Sequence, residues 1–126
     1  MDGGWYERKS ITMNQFEINL EHQKDMNRTT WQKLIESGFS LSEEVSLDFT
    51  FITRKSGNAE KLKKLLEVET NYHVEIVKTD SEWEVVGHTK NQHISLEILD
   101  QWVEWMVAAG EENGGCEFDG WGAQVP

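Results

Sequence analysis

Cys116-Glu117-Phe118-Asp119-Gly120-Trp121-Gly122-Ala123-Gln124-Val125 reads as a strand in which two glycines flank a tryptophan. Glycine inside a strand forgoes side-chain packing and costs backbone entropy, so two of them around one large ring predict a bulge or a close backbone approach. Strict alternation puts Cys116 and Phe118 on one face, toward the helices, and Glu117, Asp119 and Trp121 on the other. A tryptophan on that outer face is either covered by the amino-terminal segment or offered to a partner, tryptophan being enriched at binding centres. The plainer alternative is a ring packed over the two glycines.

The strand follows a helical pattern from Leu96 to Ala109, with Ser95 as N-cap and Gly110 as its expected stop. Leu96, Leu99, Val103 and Met106 form one apolar stripe on this helix, and Ile98, Trp102 and Trp105 form a second beside it. Two stripes predict two neighbours: the sheet for one, and for the other an amino-terminal helix, met through Trp31. Upstream, Tyr72, Val74 and Ile76 alternate with His73 and Glu75, and Thr79 to Glu82 reads as a hairpin loop into Trp83, Val85 and Gly87. Ser46 to Thr53 alternates with Leu47, Phe49 and Phe51 on one face. Ser56-Gly57-Asn58 reads as a turn, with Asn58 as N-cap of a helix burying Ala59, Leu62, Leu65 and Leu66. A further helix runs from Met13 to Ser37 and stops at Gly38. Its apolar stripe is interrupted where Gln23 and Asn27 fall, which predicts a bent or partly exposed middle.

After the first helix the order is therefore strand, helix, strand, strand, helix, strand. That order predicts an α+β fold, a ferredoxin-like split β-α-β sandwich with a four-stranded antiparallel sheet, two helices on one face and an extra amino-terminal helix. Residues 1 to 12 show no clear period and are read as a loosely ordered segment, with Trp5 and Tyr6 as groups available to dock on the domain. Residues 13 to 126 are read as one domain, without internal repeat or linker.

The formal net charge of −11 makes nucleic acid a poor partner, because phosphate binding needs cations to displace counterions. A basic protein is the better fit, with simple solubility as the bland explanation. The single cysteine, Cys116, excludes an internal disulfide and cannot hold zinc alone. With no secretory signal pattern and no apolar run of membrane-spanning length, the expected setting is the cytoplasm.

His22, His73, His88 and His93 never take the spacing of a helical zinc site, and Gly114-Gly115 precedes a strand rather than a helix. His88 and His93 flank one loop and are better read as solvated than as ligands. Catalytic, cofactor and metal residues are therefore expected to be absent; a small hydrolase would need carboxylates, or His73, His88 and His93, to converge in a cleft. Binding is the better-supported class. Glu97, Asp100 and Glu104 fall at steps of three and four on the last helix as an acidic ridge with no cation of its own, extended by Asp80, Glu82, Glu84, Glu111 and Glu112. With Asp119 and Trp121 these ridge residues form the candidate protein-binding set, a solvated helix face being the ordinary alternative.

The closing Glu117-Phe118-Asp119-Gly120-Trp121-Gly122, with the helix around Leu20-Glu21-His22-Gln23 and the strand Leu47 to Ile52, resembles the family called regulator of ribonuclease E activity B. The likeness spans residues 19 to 125 and is specific only in its last motif. It implies a regulator that binds ribonuclease E through protein contacts and lowers its activity, with no catalytic residues to carry over. Better-known members of that family continue into a strongly acidic tail after the tryptophan strand, whereas this sequence ends at Pro126. The alternative is an adaptor or immunity-type protein for another basic protein.

Overall fold

The computed structural model describes residues 15–124, so what the sequence suggests for residues 1 to 12, for Trp5 and Tyr6 and for the helix start at Met13 lies outside the described residues. The elements are α1 (Gln15–Glu36), β1 (Ser46–Thr53), α2 (Ser56–Glu69), β2 (His73–Lys78), β3 (Trp83–His88), α3 (Leu96–Glu112) and β4 (Glu117–Gln124). They build an α+β fold: a four-stranded antiparallel sheet in the order β2-β3-β1-β4, with the three helices.

Local chemistry sets most boundaries. Gly38, at φ 98°, ends α1 while its N–H donates to Ile35 O at 3.1 Å and Phe39 N–H donates to Leu34 O at 3.1 Å, the paired bonds of a glycine-terminated helix. Leu34 and Phe39 then meet in one buried cluster. The Ser95 hydroxyl accepts from Ile98 N–H at 3.1 Å and starts α3. Two expected caps are displaced. Lys55 is the N-cap of α2, and Asn58 sits inside the helix with its side-chain amide donating to Gly114 O at 3.0 Å. Gly110 likewise does not stop α3; the helix runs on to Glu112, and Gly114 and Gly115 turn the chain at φ 92° and 80°.

Leu47, Phe49 and Phe51 of β1 alternate inward and are fully buried. Phe49 and Phe51 share a core with Ala59, Leu62 and Leu66 of α2 and with Val103, Met106 and Val107 of α3, so both helices cover the same face of the sheet. A second cluster joins Leu47 and Ile94 to Leu34, Phe39 and Leu99, with Trp31, Trp102 and Trp121 packed against it. Burying such side chains contributes roughly 1.5–3 kcal/mol each.

The two glycines of β4 are where strict alternation fails. Phe51 pairs with Phe118 and Thr50 with Gly120, so Asp119 is an extra residue, a β-bulge between Phe118 and Gly120. The parity of the strand shifts by one there, and Trp121, opposite Phe49, turns to the helix-covered face with Phe118 instead of sharing the outer face with Glu117. Gly120 holds φ 143°, and a Cβ built on it meets nothing within 4 Å. Its glycine is therefore required by backbone conformation alone. Gly120→Val is expected to lower stability by roughly 1–3 kcal/mol, read from denaturant unfolding; an unchanged midpoint would remove the strain assigned to this bulge.

The second stripe of α3 also differs from expectation. Trp102 points inward, but Ile98 and Trp105 are 44% and 41% exposed, and α1 packs instead beside Asp100 and Glu104. The reason lies on α1, whose inward side at that level presents Lys24 and Asn27, groups that match carboxylates and not aliphatic surface. Trp31 packs edge-on against Phe39, ring centroids 6.0 Å apart.

Candidate functional site

The interruption of the α1 stripe at Gln23 and Asn27 is a buried polar seam, not an exposed bend. Gln23 is 3% and Asn27 0% exposed. A buried amide is tolerated only when its donors and acceptors are satisfied, and both are. Gln23 Nε2 donates to Phe118 O at 3.1 Å, joined there by Asn19 Nδ2 at 3.3 Å. Asn27 Nδ2 donates to Asp100 Oδ1 at 2.9 Å, and Asn27 Oδ1 accepts from Trp121 Nε1 at 2.6 Å. Among the described residues no buried side-chain nitrogen or oxygen lacks a partner.

This seam decides what the five candidate binding residues can do. Asp100 is half-buried and held by Asn27. Glu104 meets Lys24 Nζ at 3.4 Å, so the ridge has a cation after all, supplied by α1 from far away in the sequence. Trp121 is half-buried, donates to Asn27 and stands edge-on to Trp102, with centroids 6.4 Å apart. These three are drawn together against α1. Glu97, in the first turn of α3, and Asp119, on the bulge, remain exposed, and Glu104 stays exposed beside Lys24. Sequence reasoning missed Gln23, Asn27 and Lys24 as organisers of this region. The available signal was that Gln23 and Asn27 recur at helical spacing in the stripe expected to be apolar; Lys24 carried no such signal.

The histidines do not gather into a catalytic or metal cluster. His88 stacks on His73 across β2 and β3, with centroids 5.1 Å apart and planes at 28°, while His93 Nε2 lies 3.5 Å from Glu44. Among the described residues no group of three or more His, Cys, Asp or Glu is placed to hold a metal ion. Cys116 is buried, and burial pushes its thiol above the ordinary range against a smaller lowering by Thr53. A raised thiol is a poor nucleophile at neutral pH. Burial also raises the Tyr72 phenol, partly offset by its hydrogen bond from Trp102 Nε1 at 3.0 Å.

Two of the shallow clefts that border β1 include Asp48. One of about 570 Å³ is lined by Ser46, Asp48, His88, Thr89, Lys90 and Asn91. The other, of about 310 Å³, is bounded by Met26, Asp48, Thr50, Asp119, Gly120 and Gly122 among others. No described helix is long and apolar enough to cross a membrane.

Comparison with known families places most of this framework. The family model RraB, described as Regulator of ribonuclease activity B, matches residues 24–123, from the Lys24 turn of α1 to the end of β4. No curated protein matches the chain.

Proposed function

The chain belongs to the RraB family, regulators of ribonuclease activity, and from that premise we propose that it inhibits ribonuclease E by docking on the enzyme, without chemistry of its own and without touching RNA. The observation that carries the proposal is the family match over residues 24–123, and the net charge of −11 supports a basic protein surface as the target. The strand order β2-β3-β1-β4, with α2 and α3 on one face, supports the ferredoxin-like reading of the fold, in a single domain with α1 as its addition. The setting proposed is the cytoplasm. Of the candidate contacts, Glu97, Glu104 and Asp119 are exposed, Glu104 also pairing with Lys24; the half-buried Asp100 and Trp121 contribute by holding α1 in place.

The test is cleavage of an RNA substrate by purified ribonuclease E titrated with the protein. Inhibition is expected, weakening as salt rises, since screening is already within about 8 Å at physiological ionic strength. The protein alone is expected to leave RNA mobility unchanged. Absence of inhibition at low salt would overturn the ribonuclease E reading and favour an adaptor for a different basic protein.

A further inference from the structure

All the sheet residues that enter the two buried clusters lie on one face, which the helices cover; at the other, Met26 of α1 borders the cleft beside Thr50, Gly120 and Gly122. The register defines that open face as three cross-strand rows: Asp48, His88 and His73; Thr50, Val86 and Glu75; Ile52, Glu84 and Val77. Gly122, Gly120 and Glu117 of β4 continue them beyond β1, with Asp119 on the bulge between. The face thus carries the carboxylates Glu75, Glu84, Glu117 and Asp119 besides Asp48; none of its strand positions is lysine or arginine, although His73 Nε2 lies 3.5 Å from Glu75 and Arg54 and Lys55 border the cleft beside Ile52 and Glu117. Lys78, the one cation within β2 and β3, pairs with Trp83 on the opposite parity and lies over its ring, 5.4 Å from the centroid. Like charges gathered on a sheet repel, and opposite charges supplied by another molecule would relieve that repulsion.

Two further observations point to an occupant. Val77 is 44% exposed, and Ile52 and Val86 are only half-buried, so apolar surface lies among the carboxylates. Gly122 has no positive φ, and a Cβ there meets nothing within 4 Å, so neither backbone nor described packing demands glycine. A strand glycine without a structural cause lowers stability and leaves the backbone open to close approach by another chain. The bulge at Gly120 lowers the same floor.

We propose that this open sheet face is the docking surface, and that its occupant is a segment of the partner protein in which lysines or arginines alternate with apolar residues. The segment lies over the Gly120–Gly122 floor, sets its apolar side chains on Ile52, Val86 and Val77, and directs its cations to Glu75, Glu84, Glu117 and Asp119. The proposal rests on the protein-binding reading above and adds to it the surface and the chemistry of the partner.

Two variants probe the face in the full chain. Gly122→Phe fills the floor, and Glu75→Gln/Glu84→Gln/Glu117→Gln removes charge; Glu36→Gln/Glu60→Gln/Glu69→Gln, exposed on α1 and α2, is the control of equal charge. Unfolding midpoints establish that each variant folds, which is expected because the altered carboxylates are exposed or, at Glu84, half-buried, and a Cβ at Gly122 meets open space. In the ribonuclease E titration, each face variant is expected to raise the half-inhibitory concentration about tenfold or more, and the control less than about threefold. Equal inhibition by wild type and both face variants, or an equal loss in the control, would overturn the proposal. A second arm is independent of the enzyme: the labelled wild-type chain is titrated with a short lysine–leucine peptide, and amide shifts are followed. Shifts concentrated on the strands of the open face uphold the surface even if ribonuclease E is not inhibited, which would then count only against the enzyme's identity. Shifts centred on α3, or none, overturn the surface.

Discussion

Trp121→Ala is expected to cost about 3–5 kcal/mol of folding free energy, the range for deleting a large packed aromatic ring. The Trp121 ring packs against both clusters of buried residues and stands edge-on to Trp102 at 6.4 Å. It also gives Asn27 Oδ1 its hydrogen bond at 2.6 Å, and Asn27 is fully buried. Removing the ring leaves that carbonyl without its donor, a penalty of about 1–3 kcal/mol by itself. Trp121→Phe keeps most of the ring and loses only the indole donor, so it is expected to fall between wild type and alanine. The measurement is equilibrium unfolding in urea. A loss below about 1 kcal/mol for the alanine variant would mean that the ring is not the anchor of α1 and would return Trp121 to the list of partner contacts.

Gly110→Ala is expected to destabilise the protein by about 3 kcal/mol or more, at the upper end of overpacking costs. The sign is the informative part. Alanine in a helix interior normally gains up to about 1 kcal/mol over glycine, and Gly110 lies inside α3. Here the added Cβ would stand 2.2 Å from the carbonyl oxygen of Cys116 and 3.0 Å from Cε2 of Phe51, where α3 is pressed against the start of β4 and the core ring. A backbone oxygen cannot move aside as a flexible side chain does, and the same oxygen belongs to the turn that sets β4 in register. Gly57→Ala in α2 is the internal comparison: its Cβ meets nothing within 4 Å. That substitution is expected to be neutral or to stabilise by up to about 1 kcal/mol. If both glycines respond alike in the unfolding experiment, close contact is not what keeps residue 110 a glycine.

Ser95 as a cap, Gly38 as a stop, the Thr79–Glu82 turn and the inward set Leu47, Phe49 and Phe51 were all legible in the sequence, because each depends on residues a few positions apart. Such signals are read by the chain itself through period, capping and turn chemistry. The acidic balance and the Asp119-Gly120-Trp121-Gly122 motif also pointed to the family without a structure. The face taken by Trp121 was not legible, although a bulge was foreseen. One inserted residue reverses the parity of every position after it, and only pairing with β1 shows that Asp119 is the insertion.

By itself, the sequence determined the order and kind of elements, the inward faces of β1, β2 and β3 and the sign of the surface charge, all properties of local spacing and composition. Tertiary structure alone decided that Gln23 and Asn27 are buried, since their hydrogen bonds reach Phe118 and Asp100 from 95 and 73 residues away. It decided likewise that Glu104 has Lys24 beside it, that Gly110 is closed in by Cys116, and that the carboxylates of β1 to β4 share one open face. The physical reason common to all four is that each depends on a neighbour from a distant element that only the assembled sheet and helices bring near; for the polar groups of α1, that neighbour also replaces water and so sets their cost.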